Sequence, residues 1–126
     1  MILGIGIDII HVRAVRAALA HYGNTYTEEI FTADERSYCE STSDPAQRYA
    51  ARFAAKEACM KALGTGWSTN IQWTEIAVDH SPSGAPSIML SGAAAFLAQE
   101  RGVVRYHLSL AHTTEFAIAE VLLESN

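Results

Sequence analysis

Arg52-Phe53-Ala54-Ala55-Lys56-Glu57-Ala58-Cys59-Met60-Lys61-Ala62-Leu63-Gly64-Thr65-Gly66 contains every lysine in the protein. Lysine kept only for solubility would be scattered. Here Lys56 and Lys61 flank a carboxylate, Glu57, and alanines fill the gaps. Alanine is the strongest helix former, Pro45 suits a first helical position and Gly64 a C-terminal stop, so the spacing predicts a helix over 45–63. On a wheel of about 100° per residue, Ala46, Tyr49, Phe53 and Met60 define one apolar face, with Glu57 near its centre. Lys61 follows at i+4 from Glu57, and Lys56 lies toward the flank. Charges that extend an apolar stripe are costly unless paired or bound. The bland alternative is a Glu57–Lys61 pair on the helix surface, worth a few tenths of a kcal/mol. The closing Gly64-Thr65-Gly66 is no phosphate-cradling P-loop, because it follows the helix and lacks Gly-Lys-Ser/Thr.

Outward from this helix, residues 2–9 alternate. Ile5, Ile7 and Ile9 point one way and Gly4, Gly6 and Asp8 the other, which reads as a strand. Its glycines mark close approach by a ligand or another backbone. Val12, Val15, Leu19 and Tyr22 recur at helical spacing and predict a helix over 11–22, ended by Gly23-Asn24. Thr32-Ala33-Asp34-Glu35 is a capping box that starts a helix over 33–40. Strands follow over 71–80 and 87–90, a helix over 92–101, and two more strands over 104–111 and 116–123. The order β-α-α-α-β-β-α-β-β predicts an α+β fold, an antiparallel sheet packed on helices in one domain spanning 1–126.

The chain has 126 residues, 49% hydrophobic and 18% charged, which is enough apolar material for one core and too little charge for a disordered tail. A net charge of −5 argues against a nucleic-acid partner. Cys39 and Cys59 form no metal-ligand spacing and read as reduced thiols. No apolar run approaches a membrane span, and no basic leader precedes the first strand, so the expectation is a cytoplasmic protein.

Asp8, at the end of its strand, and Glu57, on the helix, together make a minimal site for a hard cation. Mg²⁺ commonly takes one or two protein carboxylates and completes its octahedron with water and substrate phosphate. Lys61 then serves as a point charge on the phosphate. Taken alone, Asp8 reads equally as the N-cap of the next helix. His107 reads as a sheet histidine with a satisfied hydrogen bond, and His11, His21 and His80 as surface residues. His112-Thr113 offers two polar groups at a loop tip, where ligand contacts and plain turn residues both occur. Arg13 and Arg16 form a small basic flank, either solvated charge or a docking site for an acidic partner.

The opening Gly4-Ile5-Gly6-Ile7-Asp8-Ile9-Ile10, the central Arg52-to-Gly66 run, the Gly84-x-Pro86 turn and the closing His107-Leu108-Ser109-Leu110-Ala111-His112-Thr113 resemble the holo-[acyl-carrier-protein] synthase family, the short stand-alone class of 4′-phosphopantetheinyl transferases. The resemblance implies Mg²⁺-dependent transfer of phosphopantetheine from coenzyme A to a serine of an acidic apo acyl carrier protein. It implies that Asp8 and Glu57 hold the metal, that Lys61 contacts the phosphates, and that Glu57 or a metal-bound water deprotonates the serine. Arg52, His112 and Thr113 would hold the 3′-phosphoadenosine end, with Lys61 and Gly66 completing the coenzyme A contacts. It further implies a homotrimer with sites at the seams between protomers, and carrier docking at Arg13 and Arg16. A phosphohydrolase using the same carboxylates, or a non-catalytic coenzyme A- or carrier-binding module, are the rival readings.

Overall fold

The computed structural model describes residues 1–65, 70–80 and 82–126. Strand β1 (Ile2–His11) leads into helices α1 (Val12–Tyr22), α2 (Asn24–Ile30), α3 (Ala33–Glu40) and α4 (Pro45–Leu63). A short 3₁₀ turn (Trp73–Glu75) precedes the hairpin β2 (Ile76–His80) and β3 (Pro86–Leu90), then α5 (Gly92–Glu100), β4 (Arg105–His112) and β5 (Phe116–Glu124). The expected order holds, with one helix added. Gly23, at φ 55, ends α1 as expected, but Asn24 starts a new helix instead of a loop. In the stretch Asn24-Thr-Tyr-Thr-Glu-Glu-Ile30 only Thr27 and Ile30 are buried, so no apolar stripe announces it. The expected strand over 71–80 is likewise shortened to Ile76–His80, the 3₁₀ turn taking its first part.

Both sheets are antiparallel. β5 lies between β1 and β4, and β2 pairs with β3 alone. Helix α4 is the hub. Pro45 opens it and Gly64, in the left-handed region at φ 76, closes it. One side of α4 packs on the three-stranded sheet, in a core with Leu63, Ile76, Val121 and Leu123. The other side packs on α1 and α3 through Tyr49, Phe31, Val12 and Cys39. No helix among the described residues is long and apolar enough to cross a membrane.

The contact between α4 and β1 explains the glycines. A Cβ on Gly4 would lie 2.0 Å from the carbonyl oxygen of Ala62, and one on Gly6 would lie 1.8 Å from that of Ala58. Of the two alternatives, the close approach is to a helix backbone, and α4 covers this strand face at Gly4 and Gly6. The opposite face behaves unlike an ordinary core face. Ile5, Ile7 and Ile9 are 58%, 57% and 57% exposed, joined on the neighbouring strand by Ile118.

The wheel reading of α4 is also corrected. Lys56, assigned to the flank, is fully buried, whereas Lys61, assigned to the core side, is exposed and Glu57 is half-buried. The reason is that α4 is wrapped on several sides, so a single apolar face does not describe it. Lys56 Nζ lies 2.8 Å from Glu35 Oε1 and donates to the carbonyls of Trp73 and Ile76. Glu35 in turn accepts from the amides of Thr32 (2.8 Å) and Val78 (2.9 Å). The capping-box glutamate of α3 thus also binds α4 and β2 together.

Candidate active site

Asp8 and Glu57 meet because β1 and α4 touch backbone to backbone. Asp8 follows Gly6 on the same strand face, and Glu57 precedes Ala58 on the helix. Asp8 is not a helix cap: α1 is preceded by His11, and no side chain caps it. The Asp8 side chain is only 12% exposed. Its Oδ1 accepts from Lys61 Nζ at 2.9 Å, and Lys61 also donates to the carbonyl of Ile7 at 3.0 Å. Lys61 therefore pairs with Asp8 across the strand–helix contact, not with Glu57 along the helix. Burial, and then the negative charge of Asp8, raise the Glu57 pKa above the usual carboxylate value, with Lys61 pulling the other way.

Asp8 Oδ2 is buried and has no hydrogen-bond partner. A buried carboxylate oxygen left bare beside a second carboxylate is costly unless a cation or donor occupies the gap. The donor set, carboxylate oxygens alone, suits Mg²⁺, which keeps several waters and needs few protein ligands. Among the described residues no group of three or more His, Cys, Asp or Glu could hold a metal ion, so no richer cage competes.

A second cluster lies elsewhere. A cavity of about 700 Å³ is lined by Tyr38, Arg48, Arg52, His80, Pro86 and His112, among others. Arg52 and Glu57 are five residues apart on α4, which turns them about 140° from each other around the helix. Neither Asp8 nor Lys61 reaches this cavity; they line a separate apolar hollow with Ile7, Ile9 and Ile118. Of the expected coenzyme A residues, Arg52 and His112 come together, while Lys61 does not join them. Thr113 forms the β4–β5 turn, its hydroxyl accepting from the amides of Glu115 (3.2 Å) and Phe116 (3.1 Å). Gly66 lies outside the described residues. Arg13 and Arg16 are both exposed on α1, and Arg16 Nη2 donates to both carboxylate oxygens of Asp44, at 2.7 and 3.0 Å.

Three cavity residues escaped the sequence reading. His80, taken as a surface residue, stacks on Tyr38 at 4.4 Å and approaches Arg52 at 2.9 Å. Arg48 lies over the same Tyr38 ring at 4.2 Å. The signal available was Arg48 at i−4 from Arg52, one helical turn before it. Nothing local pointed to His80. His107 does what was expected of it, meeting Glu124 Oε1 at 2.8 Å.

The 4′-phosphopantetheinyl transferase superfamily model matches residues 4–120. The chain belongs to this family. It is 44% identical over 124 residues to the holo-[acyl-carrier-protein] synthase of Koribacter versatilis (strain Ellin345), which covers 98% of this chain and 99% of that relative. Among solved structures, the holo-[acyl-carrier-protein] synthase (AcpS) of Neisseria meningitidis superposes with a TM-score of 0.91 at 30% identity, over 99% of this chain and 100% of that one. The holo-(acyl-carrier-protein) synthase of Bacillus anthracis str. Ames, in complex with CoA (3′,5′-ADP), superposes with a TM-score of 0.82 at 36% identity, over 100% of this chain and 99% of that one. The transferase-like fold expected from the motifs is thus the fold of this family.

Proposed function

We propose that this chain, in the cytoplasm, transfers the 4′-phosphopantetheine group of coenzyme A to a serine of an apo acyl carrier protein, releasing adenosine 3′,5′-bisphosphate. The observation that carries this reading is the Asp8–Glu57–Lys61 cluster, with its bare buried carboxylate oxygen, in a whole-length member of the transferase family. Reduced, buried Cys39 and Cys59, whose thiols burial pushes up to about 12, suit a reducing compartment.

Asp8 and Glu57 would hold Mg²⁺, which when bound neutralises the pyrophosphate oxygens. The serine oxygen forms a new bond to the phosphorus nearest the pantetheine, and that phosphorus releases its bridging oxygen with the adenosine bisphosphate. Glu57, or a water it holds, is the base we assign to the serine proton, because its half-buried carboxylate stands beside Asp8 and Lys61 at the same site. Lys61, held by Asp8 and the Ile7 carbonyl, faces the charge that develops on the leaving phosphate. Mass spectrometry of an apo carrier protein incubated with this protein, coenzyme A and Mg²⁺ should show the gain of a phosphopantetheine on one serine, abolished by EDTA. Bisphosphate release that proceeds without carrier protein would instead identify a phosphohydrolase.

We further propose that the active form is a homotrimer. Two features support this: the exposed isoleucine face of β1 with Ile118, and the separation of the Asp8–Glu57 cluster from the Arg52–His112 cavity. A ligand that touches both clusters would bridge two copies of the chain. Light scattering should give three times the chain mass at assay concentration; an active monomer would contradict the shared site.

We assign carrier docking to Arg13 and Arg16 on α1. Arg16 already shares its charge with Asp44, so Arg13 carries more of the attraction. Arg13→Glu should raise KM for the carrier severalfold with kcat unchanged, as expected for a rim charge that governs encounter. An unchanged KM would move docking to another surface.

A further inference from the structure

Lys61 is a counter-ion seated on one of the two carboxylates assigned to the cation. Its Nζ lies 2.9 Å from Asp8 Oδ1 and 3.0 Å from the carbonyl oxygen of Ile7. An ammonium has three donors, so these two bonds leave the third for a ligand. The Lys61 side chain is 52% exposed, against 12% for Asp8. The carboxylate is fixed in the fold, whereas the lysine turns on a flexible stem in solvent. The pair borders a hollow walled by Ile7, Ile9 and Ile118. Apolar walls reduce screening on that side, which strengthens attraction and repulsion alike.

The electrostatic consequence depends on what else is bound. Asp8 and Glu57 attract a divalent cation, and the ammonium on Asp8 repels it. Asp8 Oδ2 is bare, but the lysine on Oδ1 already offsets much of the charge of that carboxylate. Two carboxylates opposed by one ammonium make a weak seat for an ion as strongly hydrated as Mg²⁺. A pyrophosphate reverses the relation. Its oxygens ligate the cation and accept from Lys61 together, so both positive groups gather around shared negative charge.

We propose that Lys61 makes the cation site conditional on coenzyme A: its ammonium opposes the divalent cation when no phosphate is present and cooperates with it once the pyrophosphate is bound. The inference rests on the reading of Asp8 and Glu57 as the Mg²⁺ carboxylates and of Lys61 as a phosphate contact. Cation and coenzyme A then tighten each other by the same factor, as linkage requires. The reacting centre is completed only on its substrate, and the free enzyme holds the cation weakly.

The test reads binding and not turnover. Mn²⁺, a paramagnetic substitute for Mg²⁺, is titrated into the whole protein with and without coenzyme A, and free Mn²⁺ is followed by electron paramagnetic resonance. Lys61→Met removes the charge at similar length, and Lys61→Gln removes it while keeping a hydrogen-bond donor. Both variants should bind Mn²⁺ alone about tenfold more tightly than wild type, the effect of a unit charge on a dication a few ångströms away with screening close to that of water. Coenzyme A should tighten Mn²⁺ binding in the wild type, and by about tenfold less in both variants. Variants that bind Mn²⁺ no more tightly, or that keep the full effect of coenzyme A, overturn the role of Lys61. Tightening in Lys61→Met but not in Lys61→Gln also overturns it, because the cause would be shape and not charge. Asp8→Asn distinguishes a deeper failure. If it leaves Mn²⁺ binding with coenzyme A at wild-type strength, the cation sits elsewhere and the reading of Asp8 and Glu57 falls as well.

Discussion

Glu57→Ala and Asp8→Ala should each cut carrier loading by roughly 10²–10³-fold or more, the scale seen when a preorganised charge at a reacting centre is removed. The fold should survive, since Glu57 is only half-buried and Asp8 Oδ2 satisfies nothing within the chain. Loading is read by mass spectrometry and the fold by circular dichroism. Folded variants that keep a tenth of the wild-type rate would remove both carboxylates from the mechanism. A non-catalytic carrier-binding module would have no loading to lose, so the wild-type assay separates that rival. The pH profile carries the same signature. Without the cation, burial and Asp8 raise the Glu57 pKa, so protons compete with Mg²⁺ for the proposed site. The Mg²⁺ concentration needed for half-maximal loading should therefore rise on acidification, earlier than for an ordinary glutamate.

Lys56→Ala should be the most damaging single change to stability. Lys56 and Glu35 are both almost wholly buried, and removal of one partner leaves the other charge uncompensated. Breaking such a pair costs about 3–5 kcal/mol, a large share of a total that is typically about 5–15 kcal/mol. For a chain of this size the melting temperature should fall by roughly 10–20 °C. The double change Lys56→Met with Glu35→Gln leaves no buried charge unpaired and should recover much of the loss. A drop of only a few degrees for Lys56→Ala would show that water or another group replaces the lysine. The two lysines thus separate: Lys56 holds α3, α4 and β2 together, and Lys61 pairs with Asp8 at the proposed site.

What the sequence made legible follows what is local. The α4 limits were marked by Pro45 and Gly64 and the start of α3 by its capping box, because those signals lie within a turn of the ends they set. The family was legible through its motif residues, and the contact that brings Asp8 and Glu57 together through the glycines beside them. Other features depend on what lies across the fold. Helix α2 has too short a buried stripe to show periodicity. The burial of Lys56 depends on Glu35, twenty-one residues away, and on two carbonyls near β2. The place of His80 beside Arg52 is set by how β2 lies against α3 and α4, which no spacing in the sequence encodes. The exposed isoleucines alternate as core residues do, and only the position of α4 on the other face shows them to be uncovered.

Gly4 and Gly6 have one more effect. Asp8 and Glu57 project from two backbones in direct contact, a strand against a helix with no side chain between Gly6 and Ala58. Any side chain at position 6 would force the strand outward past the Ala58 carbonyl, and Asp8, two residues on along the same strand, would travel with it. The gauge of the cation gap is therefore set by missing atoms. Two residues with no functional group decide how far apart the carboxylates of the proposed site stand.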